Sequence, residues 1–213
     1  MGKKGAAKPI PESCYKRFKY RLEELGGEWA ERNLTLFLLG IATGYRVQDL
    51  VDLTISDIKE AIHNESFEIQ EKKQYNAWKT HIKKNPRSTK KRPQKRKHDI
   101  APQLEAILRK YIKGKKNSEY AFTSQKGNGS KHITAKAYSD ILKKIASDEE
   151  INLKGITGHS LRKTYARRLY EATNDLEYVR IALGHKSIEV TKCYLGLDDE
   201  VKEGAAKIAA RKL

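Results

Sequence analysis

The feature that most constrains the fold is the segment from Trp29 to Gly44, which is apolar on nearly every side of a helix. Between positions 34 and 41 it carries six large apolar residues: Leu34, Leu36, Phe37, Leu38, Leu39 and Ile41. A helix without a polar face has to lie inside the molecule, with other elements packed around it. Gly44 is the type of residue that ends helices. We therefore expect a central buried helix, with Arg46 just beyond its C-terminal end.

Helical periodicity recurs through much of the remaining chain. The predicted helices are Cys14 to Leu25, a segment from Val47 that closes near Asp57, Leu104 to Ile112, one capped by Thr134, one capped by Ser160, Asp175 to Leu183, and one from near Ser187. Alternation of apolar and polar residues predicts a strand at Phe67 to Glu71 and a return strand at His98 to Ala101. The sequence thus predicts a mainly helical α+β fold with one small antiparallel hairpin.

Three regions are expected along the chain. Residues 1–12 are predicted to be a flexible basic lead-in, residues 13–199 the folded domain, and residues 200–213 a C-terminal helix or tail. No apolar run is long enough to span a bilayer, so no membrane partner is expected. Cys14 and Cys193 are interpreted as reduced thiols, because neither has a cysteine partner at metal-ligand spacing.

The chain is strongly basic, with 44 lysines and arginines against 27 acidic residues and a formal charge of +17. Twelve of these basic residues lie between Lys72 and Lys97, a segment without any acidic residue. This basic arm is either a solvated charge run or a surface that binds nucleic-acid phosphates. The overall charge favours the second interpretation. The candidate DNA contacts are Lys72, Lys79, Lys83, Lys84, Arg87, Lys90, Lys91 and Arg92.

One motif, GHSLRKTY at positions 158–165, carries residues suited to phosphate chemistry. His159 and Arg162 are three residues apart, so they project from one face of a helix. The N-terminal end of a helix adds unpaired N–H groups and a partial positive charge. An ordinary pair of surface side chains is the alternative for such a motif taken alone.

Two further motifs contain single residues of interest. In ATGYRVQDL, at 42–50, Arg46 is either held by a carboxylate such as Asp49 or directed at an anion. In LGHKSIEVTKCYLG, at 183–196, His185 lies in a turn and Tyr194 follows nine residues later. A helix-end histidine and a half-buried packing tyrosine are the alternatives here.

Taken together and in this order, the motifs resemble the tyrosine recombinase (phage integrase) family from about residue 29 to residue 196. The family pattern is TG-x-R-x-x-[ED]-L, a lysine in a hairpin, H-x-x-R, and LGH followed nine residues later by a tyrosine. It is matched here by Thr43 to Leu50, His159 to Arg162, Leu183 to His185, and Tyr194. The resemblance implies the catalytic-domain fold of that family. It also implies a site-specific recombinase that cleaves and rejoins double-stranded DNA with no metal ion and no cofactor.

The resemblance also implies a role for each matched residue. Tyr194 would attack the phosphate and form a 3′-phosphotyrosyl link, with His159 as its base. Arg46 and Arg162 would clamp the phosphate oxygens, and His185 would donate a further hydrogen bond. Asp49 would be structural, holding Arg46 or a helix end. The lysine that protonates the leaving 5′-oxygen is best matched by Lys73, twenty-seven residues after Arg46, with Lys72 and Lys79 as alternatives.

Two other functions remain open from the sequence. A DNA topoisomerase of the same chemistry would relax supercoils without exchanging strands, and a non-catalytic DNA-binding regulator would keep the fold alone. Family members usually carry a separate DNA-binding domain ahead of the catalytic one. Because the first motif begins only about forty residues into the sequence, we expect the chain to be either an isolated catalytic fragment or a natural minimal recombinase without that domain. The resemblance further implies a homotetramer on DNA, exchange of the C-terminal segment between protomers, and a cytoplasmic, nucleoid-associated setting.

Overall fold

The computed structural model describes residues 7–126 and 130–197, together with positions 205 and 210. In these residues the chain forms ten α-helices, one 3₁₀ turn at Gly27–Trp29 and one two-stranded sheet. The helices are α1 (Glu12–Glu24), α2 (Ala30–Thr43), α3 (Val47–Leu50), α4 (Ile55–His63), α5 (Lys72–Lys84), α6 (Pro102–Ile112), α7 (Ala135–Ala146), α8 (Gly158–Thr173), α9 (Leu176–Leu183) and α10 (Ile188–Leu195). The strands are β1 (Ser66–Ile69) and β2 (Arg96–Asp99). The mainly helical α+β fold with a small antiparallel hairpin is confirmed.

Helix α2 lies at the centre, as the sequence predicts. Leu36, Phe37 and Leu39 are fully buried, and α1, α6 and α8 all pack against this helix. Gly40 allows α8 to approach closely, because a Cβ at this position would lie 2.6 Å from Leu161 Cδ1. The end of α2 and the start of α8 are therefore held close together.

The structure differs from the prediction in the second half of the lead-in, where the chain is packed against the domain. The side chain of Ile10 is buried, and its N–H donates to Thr164 Oγ1 at 2.9 Å. The N–H of Lys8 donates to the Gly155 carbonyl at 3.0 Å. Ile10, between two prolines, buries enough apolar surface to hold this stretch against the domain. The prediction missed this contact because it was based on the basic composition of the whole stretch. Of the predicted tail at 200–213, only positions 205 and 210 lie within the described residues.

The two strands pair antiparallel, with Phe67 opposite His98 and Ile69 opposite Arg96. They overlap both predicted strands, although each begins one or two residues earlier. Arg96 and His98 are partly buried while Lys97 and Asp99 are exposed, which is the alternation expected of a strand with one covered face. The hairpin thus turns Arg96 toward the interior.

The basic arm between the strands contains a helix that the sequence did not predict. Tyr75 and Trp78 lie three residues apart on one face of α5, with ring centroids 5.7 Å apart. The returning chain covers this face, because Trp78 Nε1 donates to the Lys90 carbonyl at 2.8 Å and the Arg92 guanidinium lies 4.9 Å from the Tyr75 ring centroid. The two aromatic rings therefore fold the arm onto itself. The pattern was missed because the stripe is aromatic and narrow within a basic segment.

Two helix starts also differ from the prediction. The helix from Val47 does not continue to Asp57 but breaks, and Thr54 caps the new helix α4 in a capping box with Asp57. Helix α8 is capped by Thr157 rather than by Ser160, whose hydroxyl instead accepts from the Thr157 N–H at 2.9 Å. The shift leaves His159 in the first turn of α8.

The last three helices pack on one another around a small second core formed by Tyr165, Ala166, Val179, Leu183 and Leu195. Helix α9 ends at Gly184, whose φ of +63° belongs to the left-handed region that favours glycine. Helix α10 begins next to Ser187, as predicted, and the Ser187 hydroxyl caps it by accepting from the Val190 N–H. His185 therefore lies in the turn between α9 and α10, and Tyr194 in the last turn of α10.

Candidate active site

Arg46 is positioned by the tight turn that ends α2. Gly44 has a φ of +62°, and any side chain there would collide with the ring of Tyr165. The turn brings Arg46 to the start of α3 with 19% of its side chain exposed. Its Nη1 lies 2.5 Å from Glu71 Oε2. The carboxylate paired with Arg46 is therefore Glu71.

Asp49 was expected to hold Arg46 or a helix end. It belongs to α3, and its buried carboxylate contacts the first residue of α5. Its Oδ1 accepts a hydrogen bond of 3.0 Å from the N–H of Lys72, the first residue of that helix. Burial raises the pKa of the Asp49 carboxyl, although this hydrogen bond acts in the opposite direction. Asp49 thus fastens α3 to the basic arm.

Arg162 is one of the most deeply buried side chains, only 2% exposed. Its Nη1 donates to the Gly44 carbonyl at 2.7 Å and to Glu71 Oε1 at 2.8 Å, and its Nη2 donates to the Leu183 carbonyl at 2.5 Å. A guanidinium has five N–H donors. Among the described residues these contacts occupy three of the five, so Nε–H and one Nη2–H can bind another anion.

Glu71 is a residue that the sequence analysis missed. It is 2% exposed and lies among the guanidinium groups of Arg46, Arg96 and Arg162. Burial would raise the pKa of this carboxyl, but the charges of Arg162 and Arg46 outweigh that effect and hold the pKa below its ordinary value. Glu71 is therefore ionised at neutral pH. Its only signal in the sequence is its place as the last acidic residue before the basic arm.

Arg96 is the second residue that was missed, because in the sequence it is one of twelve basic residues in the arm. In the structure its side chain is 13% exposed and its Nη1 donates to the Thr43 carbonyl at 3.1 Å and the Ala182 carbonyl at 2.9 Å. Its guanidinium also stacks 3.8 Å from the centroid of the Tyr45 ring. Arg96 lies on the covered face of β2, whereas the adjacent Lys97 is exposed. This alternation is the pattern that could have distinguished Arg96 from the other basic residues of the arm.

The hydroxyl of Tyr194 is buried and has no hydrogen-bond partner of good geometry among the described residues. Burial raises the pKa of Tyr194 to about 12, and the charges of Arg162 and Arg46 act in the opposite direction. Lys163 Nζ lies 5.0 Å from the centroid of the tyrosine ring. The phenol is thus protonated at neutral pH, close to two arginines and a lysine.

His185 packs its ring edge-on to Tyr194, with centroids 5.1 Å apart. Burial, together with the charges of Arg162 and Arg46, lowers the pKa of His185 to about 4. Its Nδ1 lies 3.1 Å from Thr191 Oγ1, which is closer than the 3.4 Å from that hydroxyl to the Ser187 carbonyl. When Thr191 donates to Nδ1 instead of to the Ser187 carbonyl, the neutral imidazole carries its proton on Nε2, where it can donate to an anion.

His159 lies in the first turn of α8, with its side chain exposed. Desolvation and the charges of Arg46, Lys73, Arg162 and Lys163 lower the pKa of His159. Together with Arg46 and Lys136 it lines a cavity of about 350 Å³ that opens to the surface. A histidine held neutral beside such a cavity can accept a proton.

The three candidate lysines have different surroundings. Lys73 is exposed in the first turn of α5, close enough to His159 for its charge to lower the histidine's pKa. Lys72 forms an ion pair with Asp52. Lys79 lies two turns further along α5, with its amine 5.3 Å from the Tyr75 ring centroid. Of the three, Lys73 is therefore the lysine whose charge acts on His159, and it lies on helix α5 between the two strands of the hairpin.

The other candidate DNA contacts lie away from this cluster, on the surface of the arm. All are exposed: Lys79, Lys83, Lys84, Arg87, Lys90, Lys91 and Arg92. Lys72 is half-buried and engaged with Asp52, which separates it from the set. The arm thus presents exposed basic side chains on its helix and on its returning segment.

The arrangement of charges suits a phosphate diester. Among the described residues, Arg46 and Arg162 retain N–H donors that form no hydrogen bond of good geometry, and the His185 ring and the Tyr194 hydroxyl lie close to both arginines. In residues 7–126 and 130–197, His, Cys, Asp and Glu side chains form no group of three that could hold a metal ion. No helix among the described residues is both long and apolar enough to cross a membrane. The two arginines, the histidine and the tyrosine together form a site of the class in which a tyrosine can attack a bound phosphate.

Comparison with known proteins agrees with this class. The chain belongs to the phage integrase family, whose profile matches residues 19–200. It is 29% identical over 178 residues to the probable integrase/recombinase YoeC of Bacillus subtilis, covering 84% of both proteins. It is 28% identical over 187 residues to the tyrosine recombinase XerS of Streptococcus gordonii. The predicted family is confirmed.

Solved structures show the same fold. The integrase of the transposon Tn1549, determined with a circular intermediate DNA, superimposes with a TM-score of 0.63 over 91% of this chain, at 19% identity. The chain spans 62% of that integrase and 46% of XerS. The predicted tyrosine recombinase catalytic-domain fold is confirmed.

Proposed function

We propose that this chain is the catalytic domain of a site-specific recombinase that cleaves and rejoins double-stranded DNA through a covalent bond to Tyr194. The observation that carries the proposal is the buried hydroxyl of Tyr194, which has no hydrogen-bond partner of good geometry among the described residues and lies within the field of Arg46 and Arg162. Buried polar groups are usually paired, so an unpaired one beside cations is typical of a functional site.

The reaction exchanges one phosphodiester bond for another. The Tyr194 oxygen attacks the phosphorus and forms the new P–O bond, while the bond to the 5′-oxygen breaks and a 3′-phosphotyrosyl link remains. Retaining the phosphate in a covalent link lets a 5′-hydroxyl of another strand reverse the reaction without an external energy source. The phenol has a pKa of about 12, so its proton must be removed by a base as it attacks.

The residues around the phosphate divide the remaining tasks. Arg46 and Arg162 neutralise the charge that develops on the non-bridging oxygens, and His185 donates to one of them from Nε2. His159, held neutral, accepts the proton of Tyr194. Lys73 protonates the leaving 5′-oxygen. These steps require no metal ion, because the arginines supply the positive charge that a metal would supply.

Double-stranded DNA fits the basic arm as well as the site. The exposed lysines and arginines of the arm follow Lys73 along the chain, and they would contact the backbone of the duplex away from the cleaved bond. The Tn1549 integrase was solved with DNA. Assembly as a homotetramer on DNA, exchange of the C-terminal segment and a cytoplasmic, nucleoid-associated setting belong to the same proposal.

The test is to trap the covalent intermediate. A pool of labelled duplexes of random sequence, each nicked so that cleavage releases a short 5′-hydroxyl fragment, is incubated with the protein and separated on a denaturing gel. Wild type and the control Tyr178→Phe, altered at an exposed tyrosine on α9, should form an adduct, whereas Tyr194→Phe should form none.

Other outcomes point to the other functions. DNA binding by wild type without any adduct would indicate a non-catalytic regulator. An adduct accompanied by relaxation of supercoiled plasmid, but by no strand exchange between duplexes, would indicate a topoisomerase.

A further inference from the structure

Two arginines, Arg162, which is buried, and Arg96, which is partly buried, both join the end of α2 to the end of α9. Arg162 donates to the carbonyls of Gly44 and Leu183, and Arg96 donates to those of Thr43 and Ala182. The last carbonyls of a helix have no partner within the helix and carry partial negative charge, so guanidinium groups bind them well. The two arginines fix the distance between the turn that carries Arg46 and the turn that leads to His185.

Glu71 is the carboxylate at the centre of this arrangement. Its Oε1 lies 2.8 Å from Arg162 Nη1 and 3.6 Å from Arg96 Nε, while its Oε2 lies 2.5 Å from Arg46 Nη1. Oε2 also accepts a hydrogen bond of 3.0 Å from Gln74 Nε2. Buried like charges repel strongly in a medium of low polarity, so three adjacent guanidinium groups require a counter-charge.

We propose that Glu71 is a positioning residue for DNA cleavage, which holds Arg46 and Arg162 so that their remaining N–H donors point at the scissile phosphate. The role presupposes the proposed cleavage reaction. Glu71 does not touch the DNA. It binds Nη1 of Arg162, which leaves Nε–H and one Nη2–H of that side chain free for the phosphate.

The alternative is that the Glu71 carboxylate occupies the position of the phosphate in the free protein. DNA would then have to displace this carboxylate in order to bind. Two observations favour positioning. The carbonyl of Glu71 accepts the Tyr75 N–H at 3.1 Å, and its side chain is held by Gln74, so both its main chain and its side chain are fixed to α5. Expulsion would also leave Arg96 and Arg162, both largely buried, without their counter-charge.

The experiment measures single-turnover cleavage of a nicked duplex at saturating DNA, with DNA affinity and thermal unfolding measured on the same samples. Glu71→Gln keeps the shape of the side chain and removes its charge. We expect its cleavage rate to fall at least about tenfold, with the dissociation constant for DNA within about twofold of wild type. The control Glu68→Gln removes an exposed carboxylate from β1 and should leave both quantities unchanged.

A residue that only supported the fold would change the melting temperature and the bound fraction but not the rate per bound complex. A rate equal to wild type would overturn the proposal, and a higher rate would show that Glu71 competes with the phosphate. If Glu71→Gln does not fold, the variant Arg96→Lys tests the same proposal. It keeps the positive charge but loses the guanidinium that donates to the Thr43 and Ala182 carbonyls. We expect the same loss of rate for this variant, and a normal rate would overturn the positioning role. If wild type itself forms no adduct, the proposed function fails as well.

Discussion

The guanidinium of Arg162 donates to the carbonyl of Leu183, the last residue of α9, at 2.5 Å. It also donates to Gly44, so one side chain from α8 connects the turn before Arg46 with the turn before His185. Residues from distant parts of the sequence thus depend on one buried side chain for their relative positions. Changes at the ends of α2 and α9 are therefore expected to alter the site even where they do not touch it.

The unpaired hydroxyl of Tyr194 predicts an unusual effect on stability. Among the described residues this hydroxyl has no hydrogen-bond partner of good geometry, so Tyr194→Phe should change the free energy of unfolding by less than about 0.5 kcal/mol, or raise it. Tyr138→Phe is the matched control, since its buried hydroxyl donates to the Asn33 carbonyl at 2.8 Å. That variant should lose about 1–2 kcal/mol. Urea denaturation measures both, and an equal loss in the two variants would contradict the expectation.

The elements that the sequence predicted are those specified by local patterns. Helix α2 was recognisable because its apolar residues surround it, and the motif residues because their spacing is short and fixed. Glu71 and Arg96 were missed because their importance depends on pairing across 91 and 86 residues, with Arg162 and Ala182. No local pattern distinguishes one arginine among twelve, or one carboxylate at the end of a strand.

Helix α5 was missed for a different reason. Its stripe, formed by Tyr75 and Trp78, is covered by the returning segment of the same arm and not by the main core. Periodicity identifies helices that pack on a core, whereas this one is stabilised by a local contact between two basic segments. The location of Lys73 on a helix follows from the same local packing.

The turn at Gly44 predicts a strong effect of a single methyl group. Gly44→Ala meets both a positive φ and the ring of Tyr165, so it should lose at least about 2 kcal/mol of unfolding free energy. Gly114→Ala is the control, because Gly114 has a φ of +78° but open space around it. It should lose only the backbone cost, about 1 kcal/mol. Denaturant unfolding compares the two, and similar losses would show that the contact with Tyr165 is not limiting.

The lowered pKa of His185 predicts a dependence of stability on pH. A histidine with a folded-state pKa of about 4 binds its proton more weakly than in the unfolded chain, whose ordinary pKa is 6.5. Its contribution to stability is therefore present above pH 6.5 and is lost as pH falls toward 4. His185→Asn should lose less stability than wild type between pH 7 and pH 4.5. Unfolding by urea at both pH values measures this, and equal losses would indicate that His185 is not buried as a neutral group.

Thr191 is predicted to set the tautomer of His185. Thr191→Val keeps the volume but removes the hydroxyl that lies 3.1 Å from Nδ1, so the imidazole no longer has its Nε2 proton fixed toward the phosphate. The cleavage rate should fall about tenfold at saturating DNA. Thr173→Val, in the last turn of α8, removes a hydroxyl remote from the site and is the control. A normal rate for Thr191→Val would mean that His185 needs no such orientation.

The exposed basic residues of the arm predict how DNA binding depends on salt. Each phosphate contact releases condensed counterions, so the logarithm of the binding constant falls with the logarithm of salt concentration by about 0.9 per contact. Replacing Lys83 and Lys84 by Gln should make this slope less steep by up to about 1.8, equally for DNA of any sequence. The control replaces two exposed lysines, Lys110 and Lys113, at the C-terminal end of α6, which contributes no residue to the site. Fluorescence anisotropy over a range of salt concentrations measures the slopes. If both double variants change the slope equally, the loss reflects net charge alone, and the arm is a solvated charge run that does not contact the duplex.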